Sequence, residues 1–412
     1  MMSQKIMERF KQFVAPTYGR FPITLDRGEG AYVWDTDGKR YLDLGGGIAV
    51  NCLGHANAEI AQALAEQSAK LMHCTNFYHF EGQAQLAEGL AKRLGQGRVF
   101  FGNSGAEASE VMLKLARRLG QAEGRFETIT AENSFHGRTM AGISASGQKK
   151  LKDGFAPLLE GFAHVPYNDI DAVHSAITPA TVAVMIEGIQ GEGGIRPASA
   201  EYLLGLRALC DERNLLLLWD GVQCGHFRTG SFQSFQAILG DQNGDFLPDA
   251  VGMAKALGGG FPMGAVWISE KHADVLGPGT HGSTFGGNPL ACAVANKILE
   301  VIDRDGLAAN ARALGQFFLD ELARLREKYP TAIREVRGLG LMIGIEMGGG
   351  FGSFDNSKPA AVQWVFALHE AGLLTIPAGS SVIRFLPPLN LTQEEAQAGL
   401  DLFEQTIQKV IE

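Results

Sequence analysis

A lysine followed closely by three glycines, Ala254-Lys255-Ala256-Leu257-Gly258-Gly259-Gly260-Phe261-Pro262, lies in an otherwise apolar stretch. On a turn it is an ordinary surface lysine. Buried, its ammonium loses protons readily, and the neutral amine is a nucleophile toward an aldehyde. The glycines then let backbone approach a bound molecule closely. Earlier, in LLLLWDGVQCG, Asp220 ends an apolar run. A carboxylate at the tip of a buried strand needs a cationic partner. A protonated pyridine nitrogen is one such partner and keeps the ring an electron sink; a helix cap or a structural ion pair is the other reading. A third segment, Phe101-Gly102-Asn103-Ser104-Gly105-Ala106-Glu107-Ala108, passes from strand to helix. Backbone N–H groups there suit a phosphate, while Ser104 also reads as a plain helix cap.

The elements that must position these residues alternate. Arg98–Phe101, Thr128–Ala131, Thr181–Ile186, Leu215–Trp219 and Ala265–Ile268 are short apolar runs bounded by glycine, proline or polar residues, and read as strands. Helical patterns fall between them: Ala106–Leu119 sets Val111, Leu115 and Leu119 against Lys114, Arg117 and Arg118, and Ala200–Arg213 is similar. This alternation implies an α/β fold, a mostly parallel sheet wrapped by helices. Gly30–Leu44 reads as a hairpin turning at Asp37-Gly38. Helices over Asn288–Asp303, Leu307–Lys328 and Thr392–Ile411, with strands over Arg334–Val336, Met342–Glu346 and Val382–Phe385, form a second, smaller α/β unit. A shared cleft is expected to hold the ligand, at the carboxyl ends of strands.

With 412 residues, 45% hydrophobic and 20% charged, the chain can bury a large core. Its net charge of −9 and lack of a long basic run argue against nucleic acid or an acidic membrane as partner. Five cysteines without CxxC spacing argue against a disulfide framework or structural zinc. The first residues mix Lys5, Glu8, Arg9 and Lys11 among apolar ones, unlike a signal peptide, and no run suits a membrane span. A cytoplasmic location is expected. Asp241, Asn243 and Asp245 hint at calcium, but Phe246 stands where an EF-hand needs glycine, and His55, His136 and His281 show no ligand spacing. No metal is expected.

The segments RGEGAYVWDTDGKRYLDL, GGIAVNCLGH, FFGNSGAEASEVMLKLAR, FHGRTMAGISASGQ, IQGEGG, KALGGGFPMGA, THGSTFGGNPLA, VRGLGLMIGIE and VIRFLPPLN, in this order, resemble the class III pyridoxal-phosphate aminotransferases, most closely the acetylornithine aminotransferase group. The likeness runs from Arg27 to Phe403. It implies a fold type I transferase divided into residues 1–50, a segment of the small domain, 51–295, a large domain binding pyridoxal 5'-phosphate, and 296–412, the C-terminal small domain. Lys255 would hold the cofactor as a Schiff base and shuttle the substrate proton, and Asp220 would pair with the pyridine nitrogen. Val222 and Phe135 would sandwich the ring, and Gln223 would bond its phenolic oxygen. Ser104, Gly105 and Ala106 would cradle the phosphate, with Thr284 reaching it from a neighbouring subunit of a homodimer. Arg138 and Arg384 would bind carboxylates, planar guanidinium being their natural bidentate partner. Ser283 would contact the acyl-amino substrate, and Glu192 would pair with Arg384 for one donor and yield for glutamate.

The reaction so implied moves the ω-amino group of N-acetylornithine to 2-oxoglutarate, giving N-acetylglutamate semialdehyde and glutamate, in arginine metabolism. Ornithine, succinylornithine, succinyldiaminopimelate and 4-aminobutyrate are alternative donors, and a cofactor-binding homologue with little activity is the reading from another class. Two positions depart from the family pattern: Gly221 replaces its glutamate and Gly188 its proline. Both are expected to add backbone freedom near the cofactor, and the first removes a charge.

Overall fold

The structure is a computed structural model and describes residues 2–355 and 357–412. Its centre is a seven-stranded sheet. In order across it lie Gly97–Gly102, Gly264–Ser269, Ala250–Met253, Leu216–Asp220, Thr181–Glu187, Glu127–Ala131 and Phe162–Val165. Only Gly264–Ser269 runs antiparallel to its neighbours. The three central strands are buried at every position, as expected for strands covered on both faces. That is why Thr181–Glu187 and Leu216–Asp220 read as continuous apolar runs rather than alternating ones. Phe162–Val165 and Ala250–Met253 are the two strands the sequence pattern does not announce. Each has only four residues, and His164 or Gly252 interrupts the apolar signal.

The helix Gly105–Gly120 begins under a Ser104 cap, whose hydroxyl accepts from the Glu107 amide, and buries Val111, Met112, Leu115 and Ala116 against the sheet. A Cβ on Gly252 would stand 2.6 Å from Met112 Cε, so the helix lies close over the strand beside Asp220. Ala200–Arg213 ends where Asn214 turns left-handed, at φ 51°. Trp219, Trp267 and Phe235 are among the largest side chains sealed in the interior, each worth about 1.5–3 kcal/mol or more of burial.

The predicted hairpin forms between Tyr32–Asp35 and Arg40–Asp43, with the Asp37 and Lys39 amides donating to Asp35 Oδ1 across the turn. Leu373–Leu374 adds to it in parallel, joining the N-terminal strands to the C-terminal part of the chain. There a second four-stranded antiparallel sheet orders Ile333–Leu339, Met342–Met347, Val382–Phe385 and Ile376–Ala378. Arg384 stands on an interior strand of it, opposite Gly344 and Ile376. Met2–Phe13 forms a helix with no buried residue. Among the described residues no helix is long and apolar enough to cross a membrane.

Candidate active site

The parallel strands deliver their loops to one edge of the large sheet. Leu216–Asp220 ends in Asp220 itself, 4% exposed. Its Oδ2 lies 2.8 Å from His136 Nδ1, and its Oδ1 accepts from the Val222 amide at 3.1 Å. The carboxylate is thus turned and held by the loop that carries Phe135. His136 is also buried, and its Nε2 has no partner among the described residues. Sequence reasoning considered His136 only as a metal ligand, and the structure assigns it to Asp220.

Lys255 follows the neighbouring strand Ala250–Met253 with a left-handed φ of 50°, uncommon for any residue but glycine. Loss of solvent, aided by the Arg384 charge, lowers its ammonium from the ordinary lysine range to about 8, although Glu192, Asp220 and Glu187 oppose the shift. An amine so placed reacts with an aldehyde near neutral pH.

Val222 packs against the start of the Gly105–Gly120 helix: a Cβ on Gly105 would lie 2.8 Å from Val222 Cγ1. As the first helical residues, Gly105 and Ala106 have amides without intrahelical acceptors, while Ser104 Oγ is occupied by the Glu107 amide. Asn103 donates to Ser283 Oγ at 3.2 Å, which brings the turn bearing Ser283 and Thr284 beside this helix end. Ser283 Oγ also accepts from the Gly286 amide, whereas Thr284 is exposed. Pyridoxal phosphate fits this arrangement: free amides for the phosphate, a buried acid for the ring nitrogen and a depressed lysine for the aldehyde.

On the other side, Arg384 is 1% exposed and holds Glu192 through Nη1–Oε1 at 2.6 Å and Nη2–Oε2 at 3.3 Å. Burial works against the Glu192 charge, but the guanidinium outweighs it and keeps the carboxyl below its usual range. Gln223 is drawn into the same group. Its Oε1 accepts from Arg384 Nη1 at 3.1 Å, and its Nε2 lies 3.4 Å from Glu192 Oε1. Arg138 is exposed, with its guanidinium 5.7 Å from the centre of the Phe135 ring.

The two glycine departures have a steric cause rather than the backbone freedom expected of them, since neither has the left-handed φ that favours glycine. A Cβ on Gly221 would stand 2.2 Å from Gln233 Oε1, and one on Gly188 would stand 2.3 Å from Trp219 Cζ2 and 2.4 Å from Ser234 Oγ. Neighbouring side chains fill the space. Glu187 is a further site residue that sequence reasoning passed over. It closes the strand beside Asp220 and is 6% exposed.

The family model for class III aminotransferases matches residues 13–407. An acetylornithine aminotransferase of Clostridium acetobutylicum is 46% identical over 401 residues, 96% of this chain and 99% of that protein. Among solved structures, acetylornithine aminotransferase from Elizabethkingia anophelis superposes with a TM-score of 0.84 at 34% identity, covering 99% of each chain. The ornithine aminotransferase of Toxoplasma gondii, described with partial occupancy of PLP at its active site, gives 0.91 at 33% identity, over 99% of this chain and 94% of that one.

Proposed function

The chain belongs to the class III, pyridoxal-phosphate-dependent aminotransferases, and on that premise we propose that it transfers the ω-amino group of N-acetylornithine to 2-oxoglutarate. The observation that carries the substrate reading is the closed Glu192–Arg384 pair, together with an exposed Arg138 over the Phe135 ring. One guanidinium is open to the carboxylate of an ω-amino donor, and the other is masked until a dicarboxylate displaces Glu192. One site thereby serves two dissimilar donors in turn. Acetylornithine enzymes of Clostridium acetobutylicum and Agrobacterium fabrum, 46% and 44% identical, support the choice among donors.

Bound pyridoxal phosphate supplies an aldehyde for the amine and a conjugated ring that takes up an electron pair. The chain supplies the rest. Lys255 Nζ would hold the aldehyde carbon and would carry a proton to and from the substrate carbon bearing the amine. Asp220, oriented by His136, would hold the protonated ring nitrogen. Phe135 and Val222 would confine the ring faces, Gln223 would turn to the phenolic oxygen, and Ser104, Gly105 and Ala106 would take the phosphate. Ser283 meets the acyl-amino group.

We assign the phosphate's remaining contact to Thr284 of a second copy, which makes the enzyme a homodimer. Thr284 sits on an exposed turn with Phe285, 61% exposed, next to Phe77 and Tyr78, 91% and 70% exposed. Asn76 ties the two turns together by donating to the carbonyls of Ser283 and Gly286. Five free cysteines suit the reducing cytoplasm, where arginine metabolism would use this activity.

The test is the half-reaction of the cofactor-loaded protein with N-acetylornithine, ornithine, succinylornithine and 4-aminobutyrate, each alone. The yellow absorbance should be lost fastest with N-acetylornithine and return on adding 2-oxoglutarate. Faster loss with another donor replaces the substrate.

A further inference from the structure

Two acids stand side by side at the carboxyl edge of the sheet, Asp220 and Glu187, in direct register on parallel strands. Asp220 has a side-chain partner in His136. Among the described residues, Glu187 is held by backbone alone: Oε2 accepts from the Phe135 N–H at 3.1 Å, and Oε1 accepts, more weakly, from the Gly191 N–H at 3.4 Å. Those amides belong to different loops. One carries Phe135 and His136, and the other leads directly into Glu192 and hence to Arg384. The strand end is pinned in turn by Tyr167, whose hydroxyl donates to the Glu187 carbonyl oxygen at 2.7 Å.

We propose that Glu187 is a positioning residue, a buried carboxyl group that ties the Phe135 loop to the Gly191–Glu192 turn and so sets cofactor-ring placement and the Glu192–Arg384 gate together. This rests on the reading that Phe135 faces the ring and that Arg384 receives the dicarboxylate. The charged and titratable groups around Glu187 are Asp220, Glu192, Lys255, Tyr167 and Cys224. Burial first, then the Asp220 charge, push its carboxyl well above the ordinary carboxylate range despite the two backbone donors. Its neutral form is thereby favoured. It accepts N–H bonds without placing a second negative charge beside Asp220, which would compete for the ring nitrogen.

The test compares the cofactor-loaded native enzyme with Glu187→Gln, which keeps the length but leaves one oxygen to accept, and Glu187→Asp, which keeps both oxygens but shortens their reach. Visible circular dichroism of the bound cofactor reports ring placement, and KM for 2-oxoglutarate reports the gate. In Glu187→Asp the dichroism should fall to about half and KM should rise about tenfold, whereas Glu187→Gln, which keeps one of the two N–H contacts, should raise KM about threefold with a smaller loss of dichroism, the scale of one orienting hydrogen bond. Native values in Glu187→Asp for either readout overturn the link, and so does a Gln variant as impaired as the Asp variant. Infrared spectroscopy should find a protonated carboxylic-acid band in the native protein that Glu187→Gln lacks, and its absence from the native protein overturns the uncharged role. An enzyme that ignores 2-oxoglutarate overturns the substrate reading instead, and dichroism and infrared still judge Glu187.

Discussion

Glu192 and Arg384 meet face to face, with both carboxylate oxygens within 3.3 Å of guanidinium nitrogens and the guanidinium almost wholly buried. Arg384 cannot receive an incoming carboxylate without surrendering this one. Replacing it with alanine removes the bidentate receptor and strands Glu192. In Arg384→Ala, kcat/KM for 2-oxoglutarate should fall about a hundredfold, the scale of a charge-assisted bidentate contact. The N-acetylornithine half-reaction should fall less than about tenfold. Separate measurement of the two half-reactions checks this, and equal losses in both would refute the gate.

Lys255 offers a pH test. Its ammonium loses its proton near 8, so the fraction of reactive amine grows as pH rises through that value, well below the ordinary lysine range. Cofactor-free protein mixed with pyridoxal phosphate should therefore develop its yellow absorbance at a rate that climbs between about pH 7 and 9. Lys255→Ala should develop none. A rate still rising steeply above pH 10 would show that the lysine is not depressed.

His136 serves Asp220 from the loop beyond the edge of the strand. His136→Leu leaves a buried carboxylate without its side-chain donor, an expected loss of about 1–3 kcal/mol. Thermal unfolding of the cofactor-free protein reads the stability, and the dissociation constant of pyridoxal phosphate should weaken in parallel. His136→Asn, which keeps an N–H donor, should recover part of both.

Gly221 and Gln233 exclude one another. Gln233 is fully buried against Gly221 and Gly225, with both amide atoms unpartnered among the described residues. Gly221→Glu alone should cost about 1–3 kcal/mol by overpacking. Gly221→Glu with Gln233→Gly should cost less than the sum of the two single changes, as expected for groups sharing one space. Denaturant unfolding of the four proteins closes the cycle, and additivity would show that they do not share it.

The parts of the site written into contiguous residues were legible. Asp220 follows four leucines and a tryptophan, and Lys255 precedes its glycines, so each carries a local signal. The strands Thr181–Glu187 and Leu216–Asp220 were legible because burial on both faces leaves no polar interruption. Contacts between distant residues were not. His136 and Asp220 lie 84 residues apart, Phe135 and Glu187 52, and Gln223 and Arg384 161. The acid-at-a-strand-tip argument that found Asp220 applies equally to Glu187, which ends the neighbouring strand. The glycines at 188 and 221 were misread for the same reason, since the side chains that claim their space come from elsewhere.

Thr284 and Phe285 lie on an open turn, beside the equally open Phe77 and Tyr78. In the proposed dimer each site borrows one phosphate ligand from the other chain, so the unit that works is an encounter between two molecules. At high dilution the specific activity should fall with protein concentration, and the rate should approach second order in enzyme. Flux through the reaction would then respond more steeply than linearly to how much of the protein a cell makes.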